Sequence, residues 1–157
     1  MLKKLELYID TSVIGGVLDS EDKRRLEITK NFLNLVKKRK VIGYVSNITL
    51  EEINKAPPEI KKELLRVVQE TKPDVLQENE ECIKLVEFYL KEKIIPPKFR
   101  DDLRHIAIAV VYGLDAVVSW NFKHIVNIIT KRKVNSVNLK LGFKTIDLIS
   151  PEEVTYG

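Results

Sequence analysis

The sequence predicts an α/β domain of three layers, α/β/α, around a central and mainly parallel sheet, and three observations carry that expectation. Short apolar stretches of strand type alternate with longer stretches of helical periodicity over the whole chain. Parallel neighbours need crossover connections, which the intervening helices supply, and that arrangement covers both faces of the sheet. The 157 residues, 44% hydrophobic and 32% charged with six Gly and six Pro, have the size and composition of one folded domain spanning 1–157.

Leu5 to Ile9 alternate as a strand does, and Asp10-Thr11-Ser12 then supplies polar residues of the kind that end strands and cap helices. From Asp22 to Lys38, the positions Ile28, Phe32, Leu35 and Val36 recur at helical spacing. Lys37, Lys38, Arg39 and Lys40 cluster near that helix end, where cations complement the dipole. Val41 to Val45 reads as a second strand. Ser46 or Thr49 then caps a helix carrying Leu50, Glu51, Glu52 and Ile53, which Pro57-Pro58 stops. Pro58 suits the first turn of a helix from Glu59 to Thr71, and another amphipathic helix runs from about Asn79 to Lys93. Pro96-Pro97 forces a loop before a more apolar helix, Asp101 to Tyr112, ended by Gly113. Ala116 to Ser119 has the character of a buried strand. A polar and basic helical region from 121 to about 140 leads to a last strand at Thr145 to Ile149 and then Pro151. There is no repeat, linker or low-complexity segment.

Several function classes drop out. Lys and Arg number 27 against 23 Asp and Glu, a net +4 that favours polyanions only mildly because it is spread along the chain. The longest apolar run, Ile106 to Val111, is far short of the roughly 20 residues that cross a bilayer, so no membrane partner is expected. The single Cys82 can form no internal disulfide, and with no signal peptide a soluble, cytoplasmic location is expected. No glycine-rich turn follows the first strand, which disfavours P-loop and Rossmann nucleotide sites. A haloacid-dehalogenase-like phosphatase needs a second Asp two residues after the first, and that position is Ser12. The acidic pair and phosphorylated Asp of a phosphorelay receiver are also missing.

In an open parallel sheet the functional crevice lies at the carboxyl ends of the strands. Asp10 follows the first strand, Glu52 lies a few residues past the second, and Asn121 stands two residues past Val118. Asp102 opens a mostly apolar helix, so its end must emerge beside whatever pocket exists. Carboxylates gathered at one edge repel each other, and a divalent cation removes the conflict. Carboxylate and amide oxygens suit Mg²⁺ or Mn²⁺, and the lack of a Cys/His cluster argues against structural zinc. One such ion, or two roughly 4 Å apart, can activate water for phosphodiester hydrolysis.

Four segments, Tyr8-Ile9-Asp10-Thr11-Ser12-Val13, Val45-Ser46-Asn47-Ile48-Thr49-Leu50-Glu51-Glu52-Ile53, Asp102-Leu103-Arg104-His105-Ile106-Ala107-Ile108-Ala109 and Val118-Ser119-Trp120-Asn121-Phe122-Lys123-His124, resemble the ordered motifs of PIN-domain ribonucleases. That family includes the VapC-type toxins of toxin–antitoxin pairs. The resemblance spans residues 5 to about 150. It implies a metal-dependent endoribonuclease acting on RNA, an antitoxin protein as a partner, and acidic ligands at Asp10, Glu52 and Asp102, with Glu51 and Asp101 as the off-by-one alternatives. Ser12 falls at a supporting position. The fourth acidic position falls on Asn121, which departs from the commonest pattern and brings an amide oxygen without charge; Asp115 is a candidate substitute.

His105 reads as a buried histidine hydrogen-bonding near Asp102, in preference to a general base, because metal-bound water needs none. Trp120 and His124 read as packing groups. Lys98, Arg100 and Arg104 adjoin Asp102 and suit the phosphates of a single strand, whereas the other basic clusters read as solvated faces. A homodimer is expected from the surplus of aliphatic positions between Glu59 and Lys93: Leu64, Leu65, Val67, Val68, Ile83, Leu85, Val86 and Phe88. The alternative to an enzyme is a PIN-like module without activity that binds RNA or protein, with Asn121 marking the loss.

Overall fold

The structure, a computed structural model, describes residues 3–155. Five strands, β1 (Glu6–Ile9), β2 (Ile42–Ser46), β3 (Asp74–Leu76), β4 (Ala116–Val118) and β5 (Asp147–Ile149), form one sheet in the order β3-β2-β1-β4-β5. Every pairing is parallel. The chain builds outward from β1 through β2 to β3, then returns to lay β4 on the other side of β1. That reversal makes the carboxyl ends of β1 and β4 the switch point where a crevice opens. The register sets Ile9 opposite Val118, so Asp10 and Ser119, the next residues on each strand, leave the sheet side by side.

Helices α1 (Thr11–Gly15), α2 (Lys23–Lys37), α3 (Asn47–Asn54), α4 (Pro58–Thr71), α5 (Glu80–Lys91), α6 (Arg100–Val111), α7 (Ile128–Lys140) and α8 (Pro151–Thr155) cover the sheet. The strand alternation divides the core in two. Leu7, Ile9, Ala116 and Val118 pack with Ile28, Phe32, Leu33 and Val36 of α2, while Tyr8 and Val117 pack with Leu85 and Tyr89 of α5 and Leu103, Ile106 and Val110 of α6. Gly43 lets α2 approach, since a Cβ there would lie 2.6 Å from a methyl of Val36.

The structure sharpens the sequence expectation in two places, the sheet and the turn after Ile9, and departs from it in two, the edge strand β3 and the segment after 121. The sheet is wholly parallel. β3 is an additional edge strand of three residues, two of them exposed, too short and too open to show an alternating pattern. The polar turn after Ile9 is a short helix with Asp10 as its N-cap. The region expected to be helical from 121 is non-helical through Asn127, whose side chain then caps α7 by accepting from the Thr130 backbone at 2.8 Å.

The aliphatic surplus between Glu59 and Lys93 is largely consumed by the chain's own core. Leu64, Leu85 and Val86 are buried and Leu65, Val67 and Val68 pack partly buried against the core, which leaves Ile83 and Phe88 exposed.

Candidate active site

Asp10 is nearly buried and held by its neighbours. Its Oδ2 accepts from the Ser12 hydroxyl at 2.6 Å and the Ser119 hydroxyl at 2.8 Å. Each hydroxyl in turn accepts a backbone N–H, Ser12 Oγ from Trp120 at 3.0 Å and Ser119 Oγ from Asn121 at 2.9 Å. Both serines are thus oriented as donors toward the carboxylate, and the two strand ends are tied together through it. Ser12 was expected at this site. Ser119 was not singled out, although it satisfies the same rule as Asp10, a polar residue directly after an apolar strand.

Glu52 arrives by way of α3. Ser46 ends β2 and caps the helix reciprocally with Thr49, accepting from the Ile48 backbone at 3.1 Å while Thr49 Oγ1 accepts from the Ser46 backbone at 3.2 Å. This start places Glu52 toward β1 and Glu51 outward, 3.5 Å from Arg104. Glu52 Oε1 accepts from the Thr11 hydroxyl at 2.7 Å and bonds His105 Nε2.

His105 lies on the inner face of α6 and is fully buried. Its Nε2 faces Glu52 and also stands 3.7 Å from Asp10 Oδ1; its Nδ1 bonds the Tyr8 hydroxyl, which lies 2.7 Å from Ser46 Oγ. Burial disfavours a charged ring, yet the Tyr8 oxygen, the Glu52 bond and the Asp10 charge more than offset it, so the imidazole stays protonated well above its ordinary range. Burial likewise pushes Glu52 up, but the His105 bond and charge, with Thr11 and Arg104, hold its carboxyl below the ordinary value. The partners of His105 are therefore Glu52 and Asp10, across the layers of the fold, and not Asp102 one turn away.

Asp102 is built differently. Its Oδ2 accepts from the Asn121 side chain at 3.3 Å and from His124 Nδ1 at 3.0 Å. Burial and then the charge of Asp10 raise its carboxyl above the ordinary value, against the opposing pull of His124. His124, expected as a packing group, is thus a hydrogen-bonding partner whose ring also packs against Phe99, with centroids 4.1 Å apart.

The remaining candidates separate clearly. Asn121 points its amide nitrogen at Asp102, while its oxygen accepts from the His124 backbone at 3.0 Å. Arg104, expected to hold phosphate, is instead spent on acids of this chain: it forks onto Glu78 at 2.9 Å twice and reaches Asp101 at 3.0 Å. Arg100 pairs with Glu87. Lys98 lies over the Phe99 ring at 5.0 Å, next to His124, and has no carboxylate within ion-pair distance among the described residues. Asp101 turns to Arg104 rather than to the crevice. Asp115 sits at the opposite edge of the sheet, accepting from the Glu6 backbone at 2.8 Å just before β4, and so cannot replace Asn121.

One pattern unites the three acids. Each ties one oxygen to protein donors, Asp10 Oδ2, Glu52 Oε1 and Asp102 Oδ2, and leaves the other without a hydrogen bond among the described residues. No three His, Cys, Asp or Glu side chains among the described residues are yet gathered around a single point as a metal-binding set. As to chemistry, the free donors are hard carboxylate oxygens, the kind that Mg²⁺ and Mn²⁺ take. No helix among the described residues is long and apolar enough to cross a membrane.

No family model matches the chain, and no curated protein sequence does. Solved structures do match in shape. One is a chain of VapBC2 from Rickettsia felis bound to a DNA fragment from its promoter, similar with a TM-score of 0.55 and 16% identity over 76% of this chain and 90% of that one. Another belongs to DNA-bound VapBC from Salmonella typhimurium, with a TM-score of 0.52 and 20% identity over 76% of this chain and 89% of that one. At such identities the likeness is one of fold. Topology and sequence motifs agree that the chain is a PIN-like α/β/α domain.

Proposed function

We propose that the protein is a divalent-metal-dependent endoribonuclease and the toxin of a toxin–antitoxin pair. The observation that carries the nuclease reading is the shared pattern at Asp10, Glu52 and Asp102: three carboxylates at the switch point of a parallel sheet, each anchored through one oxygen, with the other making no hydrogen bond among the described residues although Asp10 Oδ1 stands 3.7 Å from His105 Nε2. Asp10, Glu52 and Asp102 would hold Mg²⁺ or Mn²⁺, with Asn121 contributing through Asp102 or, after an amide rotation, directly. The ion would supply an activated water and neutralise charge on the phosphodiester. The chain's own residues do the positioning. Ser12 and Ser119 fix Asp10, Thr11 fixes Glu52, and His124 with Asn121 fixes Asp102. His105 stands between Asp10 and Glu52, and its bond and charge hold the half-buried Glu52 carboxyl below its ordinary value. The toxin reading rests on the shared fold with VapBC chains, and it adds an antitoxin protein as a partner.

The test is cleavage of a single-stranded RNA by the purified protein in Mg²⁺ or Mn²⁺. A chelator should silence it, and Asp10→Asn and Asp102→Asn should each lower the rate by at least about a hundredfold while the circular-dichroism spectrum stays native. Full cleavage in excess chelator would refute the metal dependence. RNA binding without cleavage, indifferent to Asp10→Asn, would establish the module without activity instead.

A further inference from the structure

Beside the acids lies a second feature that the reading above does not use. A cleft of about 390 Å³ opens between the α1 end and the segment after β4, lined by Ser12, Gly15, Gly16, Asp19, Arg25, Trp120 and Asn121. Two of its walls are also walls of the acidic site, because Ser12 orients Asp10 and Asn121 orients Asp102. The cleft is therefore the continuation of the site along one side.

Its floor is fixed with some care. Trp120 donates its indole N–H to Thr29 Oγ1 at 2.9 Å, and Thr29 donates to the Arg25 carbonyl at 2.8 Å. Gly16 makes room for this pair, since a Cβ there would lie 2.8 Å from Thr29 Oγ1 and 3.2 Å from the indole nitrogen. Above the floor, the Arg25 guanidinium lies 4.6 Å from the Trp120 ring centre and 5.8 Å from that of Phe122. Arg25 has no carboxylate within ion-pair distance among the described residues, whereas Arg24, Arg66, Arg100 and Arg104 all do. The acid in the cleft, Asp19, turns one oxygen to the Glu21 and Asp22 backbone N–H groups, both at 3.0 Å, as a turn cap. Phe122 is about half exposed, at 48%, and packs loosely on Trp120 with centroids 6.2 Å apart.

A guanidinium stacked on an indole and making no direct ion pair, though it feels the charge of the nearby Asp19, with an exposed phenyl ring alongside and the acidic site next door, is suited to a polyanion with flat bases. We propose that this cleft is the subsite for the nucleotide adjoining the scissile bond of a single-stranded RNA, with Arg25 on its phosphate and Phe122 stacked against its base. The proposal takes its substrate class from the nuclease reading above. Trp120 presents and stiffens the guanidinium, so that little side-chain freedom remains to be lost when phosphate arrives.

The experiment is fluorescence anisotropy of a labelled single-stranded RNA of eight nucleotides binding to the full chain in chelator, where cleavage does not interfere. Arg25→Gln should raise Kd about tenfold and reduce the slope of log Kd against log salt by about 0.7, the loss of one phosphate contact on a single strand. Phe122→Ala should raise Kd about fivefold or more with the salt slope unchanged, as lost stacking does. Arg24→Gln removes the same formal charge one residue away, from a side chain paired with Glu152, and should move Kd by less than twofold. Arg25→Lys keeps the charge without the planar fork; a salt slope like that of the wild type with a Kd between those of the wild type and Arg25→Gln is expected, and it serves if the Gln variant melts early. Equal effects of Arg24→Gln and Arg25→Gln would mean diffuse attraction and overturn the subsite, as would an unchanged Kd in both Arg25→Gln and Phe122→Ala, or no RNA binding by the wild type. Normal binding with these variant effects but no cleavage in Mn²⁺ would sink the nuclease reading and leave the subsite standing.

Discussion

The two halves of the acidic site solve one electrostatic problem in different ways. Asp10 and Glu52 share a buried cation, His105, and the carboxyl of Glu52 is held below its ordinary value as a result. Asp102 leans on the Asn121 amide and on His124, and burial together with the charge of Asp10 pushes its carboxyl up despite the opposing pull of His124 and His105. The first half is already compensated before anything binds, whereas the second carries an unmet demand for positive charge. An incoming divalent ion would relieve the Asp102 side most, and there the coupling between metal binding and the local structure should be greatest.

The largest effect should come from removing the compensating cation. His105→Phe keeps much of the ring volume but leaves the buried Asp10 and the half-buried Glu52 without the cation between them, and the Tyr8 hydroxyl loses a partner. Breaking a buried ionic network from one side costs about 3–5 kcal/mol. Urea unfolding of the metal-free protein at neutral pH should show a loss of that size. Asp102→Asn should behave in the opposite way, leaving stability unchanged or slightly higher, because it removes the charge that burial and Asp10 oppose. A loss of more than about 2 kcal/mol in Asp102→Asn would contradict the contrast between the halves.

A pH series sharpens the same comparison. The folded-state value of His105 is raised, so its contribution is fully present below its ordinary value of 6.5 and is lost as pH rises through the raised one. Glu52 is lowered, so its contribution is present above 4.5 and is lost as pH falls through the lowered value. Those two groups give the metal-free protein a stability plateau bounded on the acid side by Glu52 and on the alkaline side by His105. Asp102 is raised, and so pulls against the acid limb: its contribution is present below 3.8 and fades as pH rises through the raised value. Thermal melts of the wild type and Asp102→Asn across pH 3 to 9 should therefore differ in slope on the acid side and run parallel on the alkaline side. Identical profiles would mean that Asp102 does not titrate abnormally.

How much of this was legible in the chain depends on the range of each interaction. Asp10, Glu52 and Asp102 were readable because each is marked locally, by a strand end, a capped helix or the first turn of an apolar helix. The helices from Ile28 to Val36 and from Leu103 to Val110 were readable from their spacing. The strand at 74–76 was not, because three residues on an open edge carry no period. His105 was recognised as buried, yet its partners come from β1, the residue just after it and α3, and sequence neighbourhood pointed to Asp102 instead. Arg104 looked free because Glu78, which binds it most closely, lies 26 residues away. Ser119 and Thr11 are donors whose role exists only once β1, β4 and α3 are side by side.

The smallest effect, and the most discriminating, concerns Asn121. Its amide nitrogen donates to Asp102 at 3.3 Å, and its oxygen accepts from the His124 backbone at 3.0 Å. An Asn121→Asp substitution keeps the acceptor for His124 but turns the donor facing Asp102 into a second acceptor with a like charge. In the metal-free protein this should raise Asp102 further and cost about 1 kcal/mol, measurable in urea. In Mn²⁺ the sign reverses, because the added charge attracts the incoming cation. An added attraction of about 1.4 kcal/mol would tighten metal binding tenfold, and the Mn²⁺ concentration for half-maximal cleavage should fall accordingly. Asn121→Ala should raise that concentration through the loss of a donor to Asp102 without any gain in charge. If Asn121→Asp changes stability but leaves the Mn²⁺ requirement where it was, the residue acts only as the cap of the turn to His124, and the uncompensated half of the site consists of Asp102 alone.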